Sequence, residues 1–389
     1  MAAAGERPLH TIQGAAGASF IPYGPAEHGV QIVETFGNYE AEYATVRKGV
    51  GILETPQRGL IEVTGTDRLD FLHRLLTADL QALTSGRWRP AFMLNRQGRI
   101  EADVSVLAFD DRAVLVLDRF NVQTVLTELE KYLFADDVNL SDGSDAYIYL
   151  ALHGPAATDL IAKAAGAKND DVSVEAGHHE ILHIGGHEVT AYRRDETGSP
   201  GLSLIAPRSG SEDVYETLAN AVGGLDPFVE GGLKRDVTGR GIGWLAYNTL
   251  RIEAGTAIYH IDFGPDSLPH ETGLLDATVS FTKGCYPGQE VVARMHNLGH
   301  AAKVLVGLRF NDDRLPVAGA QVMGPQGDPN DVVGAITSST LSPMLGNVAI
   351  ALAMMKWGMH EEGTPLKIHA EGEIIPARVE KLAVGKTGD

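Results

Sequence analysis

Apolar positions in the first two thirds of the chain alternate between two spacings, and the order of those spacings repeats. Leu60-Ile61-Glu62-Val63 reads as a strand. Thr66 follows as an N-cap, with Asp67 in the first turn, where a carboxylate suits the helix dipole. Leu69, Leu72, Leu75 and Leu76 then recur at helical spacing. Phe92 to Leu94 predicts a short strand and Arg96-Gln97-Gly98-Arg99 a turn. Val104, Val106 and Ala108 alternate with Asp103, Ser105 and Leu107 in a further strand, which pairs across Asp110-Asp111 with Ala113 to Leu117. Asn121 caps a helix whose one face carries Val122, Val125, Leu126, Leu129, Tyr132 and Leu133. The same succession begins again at Tyr147 to Leu152. Gly154-Pro155 opens a helix that Gly166 ends. A hairpin of Ile181–Ile184 and Glu188–Tyr192 turns at Gly185-Gly186, and a strand at Leu202 to Ala206 leads to a helix capped by Ser211. The order β-α-β-β-β-α, met twice, predicts two packed α+β units and not an alternating parallel α/β sheet. The two halves show no sequence-level identity.

A further helix spans Gly243 to Ala254 and is closed by Gly255. From Ala302 onward the pattern changes to short apolar runs at Val304–Leu308, Gln321–Met323, Val332–Ile336, Val348–Ala353, Leu366–Ile368 and Ala377–Val379, separated by Gly, Pro, Asn and Asp. That spacing predicts a small antiparallel barrel. The expected organisation is a weakly patterned, poorly ordered lead-in over 1–35, a first α+β unit over 36–146, a second over 147–300, and a barrel over 301–389.

Composition narrows the classes. A chain of 389 residues exceeds one ordinary core and suggests two or three domains. The hydrophobic share of 44% and charged share of 21% are those of a soluble globular protein. No apolar run approaches a transmembrane length, and Met1 to Gln13 carry no signal-peptide core, so neither membrane nor secretion is expected. A formal net charge of −19 argues against general nucleic-acid binding. The single cysteine excludes an internal disulfide or a multi-cysteine metal cage within one chain, and with the rest favours a reducing, cytoplasmic setting.

Some stretches carry candidate chemistry. His179-Glu180-Ile181-Leu182-His183 matches H-E-x-x-H, a zinc-protease pattern that requires a helix to bring both imidazoles to one metal. The segment runs into Gly185-Gly186 and a β-like pattern, and on a strand residues four apart are ~13 Å distant, so no metal site is expected. Gly239-Arg240-Gly241-Ile242-Gly243, preceded by Lys234-Arg235-Asp236, reads as a helix lead-in and not a dinucleotide loop. Glu253 falls in the last turn of its helix, where the dipole opposes a carboxylate by ~0.3–1 kcal/mol if exposed. It therefore meets either a basic group elsewhere or a ligand with N–H donors. Asp103 starts a strand on the face opposite Val104 and Val106, either solvated or, in a lined cleft, able to orient or protonate an amine. Cys285 has Lys283 two residues away, and a nearby ammonium would favour the thiolate. The competing reading is a small buried hydrophobe.

The stretch Lys283-Gly284-Cys285-Tyr286-Pro287-Gly288-Gln289-Glu290, with Arg294 one turn on, resembles the K-G-C-Y-x-G-Q-E signature of the YgfZ branch of the glycine-cleavage T-protein-like, folate-binding family. Further stretches line up with that superfamily in order over roughly residues 40–385. Gly51 to Thr55 resembles its early strand, Val63 to Leu72 its V-x-G-x-D-A-x-x-F-L element, and Gly98 to Asp103 its G-G-I-x-D-D loop. Leu250-Arg251-Ile252-Glu253-Ala254-Gly255 is similar to L-R-x-E-A-G, and Thr337 to Pro343 to T-S-G-x-x-S-P. Ala102 replaces the first loop aspartate and Arg99 a glycine.

The resemblance implies a three-domain ring: two ferredoxin-like α+β units around a central folate cavity, plus a C-terminal antiparallel β-barrel. It implies tetrahydrofolate or a derivative as cofactor, with Glu253, Arg251, Tyr286, Gln289, Glu290 and Arg294 toward the ligand. Arg294 would pair with the folate glutamate carboxylate. Cys285, Lys283 and Asp103 are the implied reactive groups. In that branch the expected role is support of iron–sulfur protein assembly or repair, including enzymes of tRNA modification, with iron–sulfur client or assembly proteins as partners. The alternatives are a tetrahydrofolate-dependent aminomethyl- or methyltransferase and a scaffold that has lost the ligand.

Overall fold

The computed structural model describes residues 7–27, 29–168, 172, 174–223 and 238–383. The first six residues of the expected lead-in, the Lys234-Arg235-Asp236 triplet and the last six residues of the barrel range lie outside them.

Both predicted α+β units form, each in the order β-α-β-β-β-α. The first sheet is antiparallel, with strands in the order Arg87–Leu94, Ile100–Ala108, Arg112–Asp118, Arg58–Thr64 and Asn139–Asp142. The second runs His179–Ile184, His187–Arg193, Gly201–Pro207, Tyr147–His153, Val50–Glu54 and Gly239–Gly241, the last two parallel. Val50–Glu54, although it lies within 36–146, pairs with Tyr147–His153 in the second sheet. Gly239–Gly241, read as a helix lead-in, is that sheet's edge strand.

Period-two alternation sorts the side chains. Ala113, Leu115 and Leu117 pack under the helices Arg68–Leu75 and Val122–Glu130, with Val104, Val106 and Ala108. Val114, Val116 and Leu107 point the other way, onto Tyr149, Tyr192 and Ile205 of the second sheet. The two sheets therefore pack face to face, with their helices outside. In the helix Val122–Glu130 the predicted face is buried at Val122, Val125, Leu126 and Leu129, each contributing ~1.5–3 kcal/mol by leaving water.

Several helix starts differ from expectation. Thr66 does not cap its helix. Its amide and hydroxyl both donate to Asp137, and Asp67 takes the cap position. Asn121 holds the cap position but turns its side chain to Glu101 O and His260. Gly210, not Ser211, is the cap of helix Ser211–Ala221. The helix after Gly154-Pro155 starts at Ala157. In each of these places tertiary partners, or the preceding turn, set the helix start.

The described part of the lead-in is structured. Leu9 is fully buried in the second unit's core and Gln13 donates to Glu54 (2.7 Å). The strands Ser19–Tyr23 and Val30–Thr35 form a hairpin, and Phe36 and Glu42, just beyond it, are buried. All six predicted barrel strands form, as Lys303–Phe310, Gln321–Met323, Val332–Ser342, Val348–Lys356, Pro365–Ala370 and Glu373–Val379, and they close into a barrel. Among the described residues, no helix is long and apolar enough to cross a membrane.

Candidate active site

Asp103 lies on the face of its strand that looks toward the second sheet, together with Ser105 and Leu107. Its neighbour Ala102 packs into the apolar cluster under the helices. A carboxylate at 102 would point away from this space, so the departure at 102 leaves the inter-sheet face unchanged. The loop after strand His187–Arg193 brings Arg194 and Glu196 opposite. Arg194 Nε donates to Glu196 Oε1 at 2.6 Å, and one of its amino groups to Ser105 Oγ at 2.8 Å. Its other amino nitrogen is 4.0 Å from Asp103. The helix Trp244–Glu253 contributes Tyr247, whose hydroxyl donates to Glu196 Oε2 at 2.9 Å. Arg58 reaches Glu196 at 3.4 Å. With Tyr23, Asp118, Trp244 and Tyr259, the polar groups named, Ser105 apart, line one cavity. The gap is narrow, with about 20 Å³ of room for water.

Electrostatics divide the carboxyls. Burial pushes the Asp103 carboxyl above its usual range, against the pull of Arg194 and Arg58. Burial also pushes Glu196 up, but Arg194 and then Arg58 outweigh it and hold that carboxyl at about 2. Burial raises Asp118. Burial lowers His153, which stacks on Tyr247 at 5.5 Å with both ring nitrogens unpartnered. Tyr23, from the N-terminal hairpin, meets Trp244 edge-on at 5.5 Å, and burial followed by Asp118 pushes its phenol up to about 12.

The other expected ligand residues are elsewhere. Glu253 is 0% exposed. One oxygen accepts from Ser342 of the barrel, and the other from Tyr43 (2.7 Å) and Arg47. Arg251 is equally buried, donating to Asn248 (2.9 Å), Thr256 O (3.2 Å), Asp262 and Ser338 (2.6 Å). Asp262 in turn accepts from Thr337 and Ser338 (2.8 and 2.6 Å). The L-R-x-E-A-G and T-S-G-x-x-S-P-like runs are thus the two sides of one seam between helix and barrel. The physical reason is desolvation: a buried carboxylate or guanidinium persists only when paired, and the barrel supplies the partners.

Lys283 also departs from its expected role. Its ammonium donates to the carbonyls of His73, Leu76 (2.5 Å) and Ala78 (3.1 Å) at the end of helix Arg68–Leu75. It lies 5.1 Å from the Tyr286 ring centroid. Tyr286 is buried among Phe92, Ile100 and Val292. Between these two anchors Cys285 is exposed, not buried. It lies on an open groove of about 370 Å³ with Phe71, Tyr132 and Phe134. Gly288 (φ +78) abuts Asn95 O and Gly98, where an added Cβ would come within 2.4 Å of the carbonyl. Gln289 is half-buried at the start of helix Gln289–Leu298, and Glu290 and Arg294 are exposed on it. None of these signature residues lines the inter-sheet cavity. His179 and His183 sit on a strand, as expected, with His179 buried against Ala108 O at 2.7 Å.

Sequence reasoning missed Arg194, Glu196, Tyr247 and Tyr23. The charge-rich Arg193-Arg194-Asp195-Glu196 run was a visible signal, since such a run between two strands needs solvent or partners.

Comparisons with known proteins agree with this architecture. The GCVT N-terminal domain matches residues 9–283 and the glycine cleavage T-protein C-terminal barrel domain matches residues 303–384. The chain is 28% identical to an aminomethyltransferase of Saccharopolyspora erythraea over 97% of both chains. It is 28% identical to one of Geobacillus sp. strain WCH70 over 96% of both. The crystal structure of the glycine cleavage system aminomethyltransferase T from Bartonella henselae has the same fold, with a TM-score of 0.82 at 23% identity over 97% of this chain and 98% of that one. Carrying both domains in order, with the two sheets, the connecting helix and the closed barrel in place, the chain belongs to the glycine cleavage T-protein family.

Proposed function

We propose that this protein is a tetrahydrofolate-dependent one-carbon transferase, taking the one-carbon unit from an aminomethyl or methyl donor in the cavity between the two sheets. The observation that carries the reading is Asp103. It is a carboxyl raised by burial and turned into a polar cavity, in a chain whose full-length relatives are named aminomethyltransferases. The cavity's chemistry fits a flat heterocycle bearing N–H groups. Tyr23, Trp244, Tyr247 and Tyr259 offer aromatic surface, and Asp103 and Asp118 offer acceptors. Bound tetrahydrofolate would supply the acceptor nitrogens. Asp103 would hold or move a proton there, and the aromatic walls would exclude water. The gap is too narrow for the ring as it stands, so a wall of the cavity would have to move.

The test is calorimetric titration with tetrahydrofolate and its 5-formyl derivative, beside a turnover assay with a lipoyl-bound aminomethyl donor. Binding with turnover supports the reading. Absence of both, with the protein folded, removes it and favours a scaffold that has lost the ligand.

A second reading rests on Cys285, which is exposed between two buried anchors and remote from the cavity. This arrangement suits the YgfZ-like role, in which the folate site and a separate thiol serve iron–sulfur protein assembly or repair in the cytoplasm. Folate binding without turnover, together with loss of iron–sulfur enzyme activity in cells carrying only Cys285→Ser, would select it over the transferase.

A further inference from the structure

We propose that Arg194 and Glu196 act as positioning residues, with Glu196 holding the Arg194 guanidinium off Asp103 so that Asp103 takes up a proton more readily than a direct pair would allow. The inference rests on the folate reading only for what the proton is used for.

Two carboxyls compete for Arg194, and geometry decides between them. Glu196 holds Nε at 2.6 Å and Ser105 holds an amino group at 2.8 Å. The remaining amino nitrogen stays 4.0 Å from Asp103, beyond hydrogen-bond reach. Glu196 is itself fixed, by the Tyr247 hydroxyl at 2.9 Å and by Arg58 at 3.4 Å. His153 stacks on Tyr247 behind this arrangement, and burial lowers its imidazole. The Asp103 side chain makes no hydrogen bond among the described residues. The other titratable groups around the cavity are Asp118, from the same sheet, Tyr23, from the hairpin, and Tyr259. None of these is a cation, so Arg194 and Arg58 are the positive groups acting on Asp103. A close, hydrogen-bonded ion pair between Arg194 and Asp103 would lower the Asp103 carboxyl by about one to three pH units. The Glu196 contact instead holds the two groups at the outer limit of ion-pair distance.

The test follows the Asp103 carboxyl by carbon-13 NMR titration of the full-length protein, assigned by its loss in Asp103→Asn, and compares it with the pH profile of transfer. Glu196→Ala frees Arg194 and is expected to shift the Asp103 midpoint to lower pH by about one unit or more, with kcat falling and folate KM unchanged. Arg194→Met is expected to shift the midpoint upward. If the midpoint stays within a few tenths of a pH unit in both folded variants, the proposal is overturned. Since the NMR readout needs no turnover, a protein without transferase activity still tests it. Loss of folate binding and turnover with the midpoint shifts intact would remove the transferase reading and leave the clamp.

Discussion

Asp103 owes its character to a strand whose two faces have different neighbours. Val104 and Val106 are packed under helices, while Asp103 and Ser105 meet the second unit's charged loop. A group so placed is suited to proton transfer, which contributes typically ~10²–10⁴-fold to rate. Asp103→Asn should therefore lower kcat by that order while leaving folate affinity within a few-fold, measured by turnover and calorimetry on one preparation. Glu253 shows the opposite case. Every oxygen has a protein partner, so Glu253→Gln leaves the largely covered Arg47 guanidinium without its counter-charge, with Thr197 O as its other partner. A loss of about 3–5 kcal/mol is expected, read as a lower denaturant midpoint. If Glu253→Gln instead keeps full stability and loses folate, the seam assignment fails.

At the scale of elements, the signature stretch works as a support for neighbouring structure. Lys283 closes the carbonyl end of helix Arg68–Leu75, where a cation also complements the dipole. Lys283→Met leaves those acceptors unpaired and should destabilise by about 1–3 kcal/mol, whereas Cys285→Ser should leave the melting temperature unchanged. In the native protein Cys285 should titrate as one accessible thiol with a chromogenic disulfide. A thiol that reacts only after unfolding would contradict its exposed placement. The Gly288–Gly98 contact explains why the stretch needs a glycine there: the turn Arg96–Arg99 approaches too closely for a side chain.

At the scale of the whole molecule, the cavity belongs to neither α+β unit alone. It needs a strand from the first, a loop from the second, the helix Trp244–Glu253, and Tyr23 from the N-terminal hairpin. Tyr23→Ala should open the narrow gap and raise the folate association rate in stopped-flow fluorescence, and an unchanged rate would argue that Tyr23 does not obstruct entry. Acid should act through Glu196. Its folded pKa is depressed, so its contribution to stability is present above its unfolded value, near 4.5, and is lost as pH falls through about 2. Glu196→Gln should flatten that part of a circular-dichroism acid titration. Much of this architecture was legible from spacing alone. Two-residue and three-to-four-residue periodicities located the two α+β units and all six barrel strands, because burying one face of each element is a local constraint written into successive positions. Ordered motifs pointed to the family, and family membership agrees with the expected tetrahydrofolate. What periodicity could not decide was which polar side chains meet. Glu253 and Arg251 turned to the barrel, Lys283 to a helix end, and Arg194 to Glu196 and, across 89 residues of chain, to Ser105. Those pairings follow from desolvation, since a buried charge takes whichever partner the packed sheets and barrel bring within reach. That choice exists only in the tertiary structure.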